Sequence, residues 1–447
     1  MLKRFLYSLR FYFTGLFYIS GSLIVGLFVL AFFFAGLQQI ALIALLCLGI
    51  AVLLDFIIVF AGPRPLTAER LCGDRFSNGD ENKVIIQITN HRSYKISAKL
   101  IDELPVQFQA RNWQRDLLLN GGETFSYEYF LKPVERGEYF FGRINIFMRG
   151  PLNMVIRQIA SGEEKKVAVY PSYLQMRKFE LMAQTDQLQF AGSRRLRKLG
   201  SSLEFEQIKE YVPGDDYRTV NWKATARKSA LMVNSYIDER SQQIICVIDK
   251  GRSMKMPFEG MTLLDYAINS TLVLSNIVLM KQDKAGLLTF GKKPGQFLQP
   301  DKKPAQINLI LETLYMQQTD FTDSDFEALY VSIRYQVKQR SLLVLFTNFE
   351  SLYSLERQLP YLQQLSSHHP LLIVFFENTE LAELQQRKAD TVEQVYLTTI
   401  ANKFALEKRQ MVKELQKHGI MSLLTPPQKL TANTINKYLE LKERQVI

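Results

Sequence analysis

The sequence predicts a multi-domain protein made of two transmembrane helices, an antiparallel β-sandwich and a doubly wound α/β domain. Three observations carry that expectation. Two apolar runs of membrane-spanning length fall within the first 62 residues, and short alternating strands broken by turn residues continue from there to about Pro171. Beyond Gln243, apolar strands alternate with helix-length amphipathic segments. The boundaries read as 1–62 for the anchor, 63–171 for the sandwich, 172–240 for a connecting segment and 241–447 for the α/β domain. At 447 residues the chain has ample material for more than one core.

The anchor comes first. Residues 11–36 and 40–61 are each close to the roughly 20 apolar residues that cross a hydrocarbon core about 30 Å thick. The first run is too long for a signal-peptide core, has no small-x-small cleavage site and is followed almost at once by the second. GLQQ, residues 36–39, is the uncharged connection between them. Lys3, Arg4 and Arg10 precede the first run, and Arg64 and Arg70 follow the second. Positive-inside counting therefore places both termini in the cytoplasm, with everything after residue 62 cytosolic. The formal charge of +11, from 55 Lys and Arg against 44 Asp and Glu, attracts either polyanions or an anionic leaflet. The two spans favour the leaflet, where each nearby Lys or Arg contributes about 1 kcal/mol. Asp55 interrupts the second run. It reads either as an ion or proton site or, more economically, as a carboxylate that reaches the headgroup zone or pairs with a neighbouring helix. The three cysteines, Cys47, Cys72 and Cys246, are odd in number and far apart, so neither a disulfide framework nor a zinc spacing is read from them, and a reducing compartment fits best. Cys72, lying just past the apolar runs, is a weak acylation signal.

In the sandwich region KVIIQITN, TFSYEYFLKP, GEYFFGRINIFMR and KKVAVYP read as strands. Phe125, Tyr127, Tyr129 and Leu131 fall on one face, Ser126 and Glu128 on the other. NGGE, ERGE and RGPLN supply the breaks, and His91 stands without catalytic company. Residues 172–200 form a polar, basic connection that includes Arg194, Arg195, Arg197 and Lys198. Nucleic-acid binding would need aromatic platforms or a groove-sized helix beside such a cluster. Neither is visible, so a solvated linker or lipid-facing patch is expected and no nucleic-acid partner.

The α/β domain opens with IICVID. There follow a helix in TLLDYAINSTLVLSNIVLMK, a strand AGLLTFG that turns back through PGQFLQP, and helices in PAQINLILETLYMQ and DFEALYVSIRYQVK. SLLVLFTNF, SLERQLPYLQQL, PLLIVFFEN, a long helical stretch through Lys417, MSLLTPP and a last helix from about Thr431 complete it. Such alternation calls for a mostly parallel sheet covered on both faces, with the hairpin adding an antiparallel edge strand.

In sheets of this kind ligands gather outside the carboxyl ends of the strands. The first strand ends in CVIDKGRSM, residues 246–254. An acid followed at plus two and plus four by hydroxyls offers a magnesium-type ion several hard oxygen ligands, completed by a threonine or acid from a later loop. The arrangement resembles the metal-ion-dependent adhesion site of von Willebrand factor type A domains, Asp-x-Ser-x-Ser. Asp249 and Ser253 match, while Gly251 stands where the first serine belongs. The resemblance places the loop threonine at Thr322 and the later acid at Asn348, so a carboxylate has become an amide. Lys250 and Arg252 set two positive charges beside Asp249 and repel a divalent cation unless Asp320, Asp323 or Asp325 swings in. The preferred reading is that Asp249 accepts hydrogen bonds from its own turn and Gly251 allows a tight bend. No cofactor is expected, and Mg is the one the motif leaves open.

Residues 211–236, YVPGDDYRTVNWKATARKSALMVNSY, hold the densest cluster of specific residue types. Pro213 and Gly214 suit the centre of a turn, and Asp215 or Asp216 lies within reach of Arg218. Trp222, next to Asn221, has a ring that can cover Arg218 or Arg227. The segment resembles the signature Tyr-x-x-Gly-Asp-Asp-x-Arg-x-x-x-Trp of the bacterial family known as domain of unknown function 58, in which it precedes a von Willebrand type A fold. Residues 136–157 resemble that family's upstream Arg-Gly strand pair, and two N-terminal spans are common in it. The resemblance implies a bacterial inner-membrane protein that accompanies a MoxR-type AAA+ ATPase, its type A domain serving as an adaptor toward client proteins. Asp215, Asp216 and Arg218 lack a nucleophile in motif spacing, and neither GxxxxGKS nor GxGxxG is present, so no enzyme is expected. The motif is expected to form a buried ion pair under the tryptophan that docks the segment on the sheet, or else a partner-docking surface. Three rival functions stand beside the adaptor: a metal-dependent protein binder working through Asp249, an envelope enzyme using Asp215, Asp216 and Arg218, and polyanion binding through Arg194, Arg195, Arg197 and Lys198.

Overall fold

The computed structural model describes residues 10–34, 36–61, 65–110, 113–184, 204–213, 215, 217–228, 230–237, 241–319, 321–378 and 391–446. The chain divides into two units, Met1–Tyr170 and Pro171–Ile447.

The first unit opens with a strand where helix was expected. β1 (Phe11–Phe13) pairs antiparallel with residues of Val155–Ser161, and α1 (Gly15–Phe33) starts only after Thr14, whose side chain accepts from Phe17 N at 3.4 Å. A run of aromatics suits a strand as well as a helix, and Thr14 is a good N-cap, so the cap and the available sheet edge decide. α2 (Leu37–Phe60) likewise begins before Ile40, which shortens the connection expected at 36–39. Both helices are long and apolar enough to cross a membrane.

β2 (Leu66–Cys72), β3 (Arg75–Ser77), β4 (Asn82–Asn90), β5 (Ile96–Asp102), β6 (Gln114–Leu119), β7 (Thr124–Leu131), β8 (Gly137–Phe141), β9 (Ile144–Arg149), β10 (Val155–Ser161) and β11 (Lys165–Tyr170) follow. They form one sheet ordered β1-β10-β9-β5-β6 and two smaller ones, β2-β4-β7 and β3-β11-β8. All described pairings are antiparallel except β3 with β11, which is parallel and departs from the expected all-antiparallel sandwich. The period of two places Val84, Ile86 and Ile88 of β4, Ile96, Ala98 and Leu100 of β5, and Ile144, Ile146 and Met148 of β9 in one shared core. On β7, Tyr129 and Leu131 are buried and Phe125 and Tyr127 half-buried, while Ser126 and Glu128 face solvent. Inside this core Arg70 donates to Asp102 and so does the Tyr129 hydroxyl, and burial pushes the Tyr129 phenol up.

Asp55 is fully buried, and a turn rather than a neighbouring helix meets its carboxylate. Its Oδ1 accepts from Leu152 N at 3.0 Å, and its Oδ2 accepts from Met154 N and Val155 N, both at 2.9 Å. The turn between β9 and β10 is thereby bound to the second apolar helix. Gly150 is required there because a Cβ would run into the Asp55 carboxylate.

In the second unit the polar, basic connection expected at 172–200 contains α3 (Tyr173–Gln184). Met176 and Phe179, one turn apart, pack on the α/β core, and this pairing outweighs the polar composition. The basic residues Arg194, Arg195, Arg197 and Lys198 lie outside the described residues. β12 (Glu204–Glu210), α4 (Trp222–Lys228) and β13 (Met232–Ile237) form the signature segment, with β12 and β13 antiparallel. After them come β14 (Gln243–Asp249), the two-residue strands β15 (Pro257–Phe258) and β16 (Met261–Thr262), α5 (Leu263–Met280), β17 (Lys284–Phe290), β18 (Pro294–Asp301), α6 (Gln306–Tyr315) and α7 (Phe326–Gln336). β19 (Leu342–Phe346), α8 (Leu352–His368), β20 (Leu371–Phe376), α9 (Val392–Lys417), β21 (Met421–Thr425) and α10 (Leu430–Glu443) complete the unit.

The main sheet is ordered β18-β17-β14-β19-β20-β21, parallel throughout except for the antiparallel edge strand β18. Two cores cover it. Ile244, Cys246, Val344 and Val374 face α5, α6 and α10, whereas Ile245, Val247, Leu345 and Ile373 face α7, α8 and α9. α5 is also apolar enough to span a membrane, but 78% of its apolar window is buried, which makes it a core helix. Burial pushes the Cys246 thiol up to about 12, as befits a packed strand residue.

Asp55→Ala leaves three amide donors without their carboxylate. Heat or denaturant unfolding of the full chain in micelles is expected to show a loss of about 3 kcal/mol, with Asp55→Asn intermediate. Wild-type stability in the alanine variant would show that the turn does not depend on this carboxylate.

Candidate functional site

At the carboxyl end of β14, Asp249 is almost completely buried. Its Oδ1 accepts from Gly251 N at 2.8 Å and from the Ser324 hydroxyl, and its Oδ2 accepts from Thr347 Oγ1 at 2.6 Å. Burial pushes this carboxyl up, and the hydrogen bonds from Ser324, Thr347 and Gly251 work against that. The tight bend has a specific cause: a Cβ on residue 251 would collide with the Ser324 hydroxyl. Ser324 thus brings its hydroxyl in from another loop to the place that a side chain at 251 would need.

Of the residues expected to form a metal set, Asp249, Ser253 and Asn348 line one cavity of about 180 Å³. Thr322 contributes its carbonyl to Arg252 N at 3.0 Å. The Asn348 amide oxygen accepts from Lys408 Nζ at 2.7 Å, and the same ammonium donates to Phe349 O at 2.6 Å. Asp320 lies outside the described residues. Asp323 pairs with Arg252 at 2.9 Å, Arg252 also reaches Glu350 at 3.6 Å, and Asp325 caps α7 through Ala328 N at 3.0 Å. Among the described residues no three His, Cys, Asp or Glu side chains gather as a ligand group. Donors thus meet both Asp249 oxygens, and Arg252 lies at the rim of the cavity. Sequence reading missed Ser324 and Thr347. The signal was close, because Ser324 lies within TDFTDSDF and Thr347 directly precedes Asn348.

The signature segment is a second cluster, built differently from expectation. Asn221 organises it. Its side chain caps α4 through Ala224 N at 3.0 Å and donates to Asn234 Oδ1 at 2.8 Å, while its amide donates to Met232 O at 2.8 Å. Asp215 accepts from Lys209 Nζ at 2.8 Å and from Val212 N at 3.0 Å, and the Lys209 hydrogen bond leads in holding its carboxyl below the usual range. The expected cover by the tryptophan is not seen among the described residues. Trp222 is 73% exposed and Tyr217 72%, and the Arg218 guanidinium lies 5.8 Å from the Tyr217 ring. Pro213 is exposed at the turn, and Gly214 and Asp216 lie outside the described residues. Polar side chains hold the turn from within, and the aromatic ones face out.

A family described as "Protein of unknown function DUF58" matches residues 207–401, from inside β12 into α9. The uncharacterized protein YeaD of Bacillus subtilis (strain 168) is 25% identical over 174 residues, which are 39% of this chain and 41% of that protein. The match thus spans well under half of either length. Among solved structures, the conserved hypothetical protein BatB from Bacteroides thetaiotaomicron aligns over 46% of this chain and 100% of its own, with 13% identity and a TM-score of 0.30. The CARDB domain of PF1109 from Pyrococcus furiosus, crystallised in complex with di-metal ions, aligns over 24% of this chain and 93% of its own, with 16% identity and a TM-score of 0.18.

Two outcomes are expected here. Gly251→Ser should lose about 1–3 kcal/mol by overpacking against Ser324, and Ser324→Ala in the same chain should recover much of it, as a double-mutant cycle by denaturant unfolding would measure. Burial, only partly opposed by Glu350 and Glu407, holds the Lys408 ammonium down to about 8 from 10.5. A lysine that ionises less readily when folded costs stability below its folded value, and that cost fades as pH rises from about 8 towards 10.5. Stability should therefore rise across that window by up to on the order of 3 kcal/mol relative to Lys408→Met. Parallel pH profiles of the two proteins would contradict this.

Proposed function

We propose that the second unit is a von Willebrand factor type A-like domain whose ancestral metal position has become a hydrogen-bonded strut, and that the protein is a membrane-anchored, non-enzymatic adaptor. In this reading the two apolar helices hold it in a bacterial inner membrane with both termini cytoplasmic. Its partners are a MoxR-type AAA+ ATPase and client proteins. The observation that carries the reading is the state of Asp249: both carboxylate oxygens are engaged by Gly251, Ser324 and Thr347, leaving a fixed rim rather than a reactive group. The sheet order, with one antiparallel edge strand beside the parallel ones, supports the type A assignment. The signature segment supports binding over catalysis. Asp215 is held in an ion pair with Lys209, and the large aromatics Tyr217 and Trp222 are turned to solvent, where such residues commonly anchor interfaces.

The test is binding of the full chain, in micelles, to a MoxR-type ATPase encoded in the same genome. Tyr217→Ala with Trp222→Ala is expected to weaken the complex about tenfold or more while leaving thermal unfolding unchanged, since both rings are exposed. Undiminished binding would remove the signature segment from the interface. Binding that appears only with added Mg²⁺ and vanishes in Asp249→Ala would instead favour the metal-dependent reading.

A further inference from the structure

We propose that Arg92 and Arg157 form a phosphate site for an anionic phospholipid at the C-terminal end of α2. Both guanidinium groups meet that helix end: Arg157 Nη1 donates to Val59 O at 3.0 Å, and Arg92 donates to Ala61 O. The Arg157 head also lies over the Phe60 ring, 4.6 Å from its centre. The carbonyl end of a helix carries only about half a negative charge, so two full cations there are left largely uncompensated.

Among the described residues no carboxylate balances them. Neither arginine has an ion-pair partner among the described residues. In the sequence, Asp55 is the only acid before Glu69, and both its oxygens are engaged by the amides of Leu152, Met154 and Val155. Burial and then the charge of Arg92 hold Arg157 below the usual guanidinium range, as expected of two neighbouring cations without an anion. The Arg92 Nε–H is buried and meets no acceptor among the described residues. Guanidinium pairs bind phosphate oxygens bidentately, which is the interaction this donor set is shaped to make.

The surroundings select a lipid over a free phosphate. Phe11 is 40% exposed and Tyr12 50%, and Phe11 lies against Phe56, which stacks on Phe60 at 4.5 Å. An aromatic collar at the end of a membrane-length helix is where acyl chains and headgroups meet. A phospholipid satisfies cations and collar together, whichever leaflet the helix end reaches, so the inference does not rest on the adaptor reading.

The experiment uses the full chain in detergent, titrated with dioctanoyl phosphatidylglycerol, dioctanoyl phosphatidylcholine or inorganic phosphate. Bound lipid is read by native mass spectrometry and stability by thermal unfolding. The expected result is one-to-one retention of phosphatidylglycerol at least about tenfold tighter than phosphatidylcholine, weakening as salt rises. Arg92→Gln with Arg157→Gln should abolish the preference, and Arg157→Lys, which keeps the charge but loses the fork, should weaken it several-fold. Equal binding of the two lipids by the wild-type chain would overturn the proposal whether or not the double variant folds. So would inorganic phosphate that competes phosphatidylglycerol off at similar concentration, which would mark a free-anion site, or a folded double variant that keeps the preference.

Discussion

A carboxylate removed from water must be met by donors, and each unit of this protein is arranged around one such group. In the first, Asp55 takes three backbone amides from the turn between β9 and β10. In the second, Asp249 takes one amide and two hydroxyls from three separate loops. Leaving such a group unmet costs several kcal/mol, a large part of the whole stability of a domain. Neighbouring choices follow from that demand. Gly150 and Gly251 are both glycine because a Cβ would occupy the space of the carboxylate or of its donor. Three donors thus occupy most of the lone-pair positions of the Asp249 carboxylate.

Much of the architecture was legible in the sequence because it depends on period. Alternation in β7 and the apolar runs of β14, β19 and β20 declare one-sided and two-sided burial directly. The elements that were not legible are those decided by partners distant in sequence. Phe11–Phe13 is a strand because β10 offers it an edge, and Tyr173–Gln184 is a helix because Met176 and Phe179 find the α/β core. Neither fact is present in local composition.

The site divides in the same way. Asp249 was found from its position at a strand end, and Gly251 from the bend it permits. Ser324, 75 residues further on, and Thr347, 98 residues from Asp249, reach the carboxylate only through the crossing of loops in the folded sheet. In the signature segment the residue types were recognised but their directions were not. Asn221 works as a cap and a crosslink, tasks its short amide suits, while the ring of Trp222, at the start of a seven-residue helix, projects to solvent. A motif fixes which residues are present, whereas burial is decided by what else packs against them.

Charge at the rim completes the contrast with a metal-held site. There, a divalent ion draws loops together by coordinating their oxygens. Here the chain's own cations make the equivalent connections: Arg252 joins Asp323 and Glu350, and Lys408 joins the Asn348 amide to the Phe349 carbonyl. The exposed Arg252 pairs contribute little energy individually. The Lys408 contacts are shielded and set the loop after β19 more firmly. Loops tied by covalently attached cations do not depend on a divalent ion, whereas loops tied by a bound ion loosen when it leaves. For the adaptor proposed here, such a rim would be ready for a partner without a preceding metal-binding step, and control would have to enter elsewhere, through the partner or through the membrane.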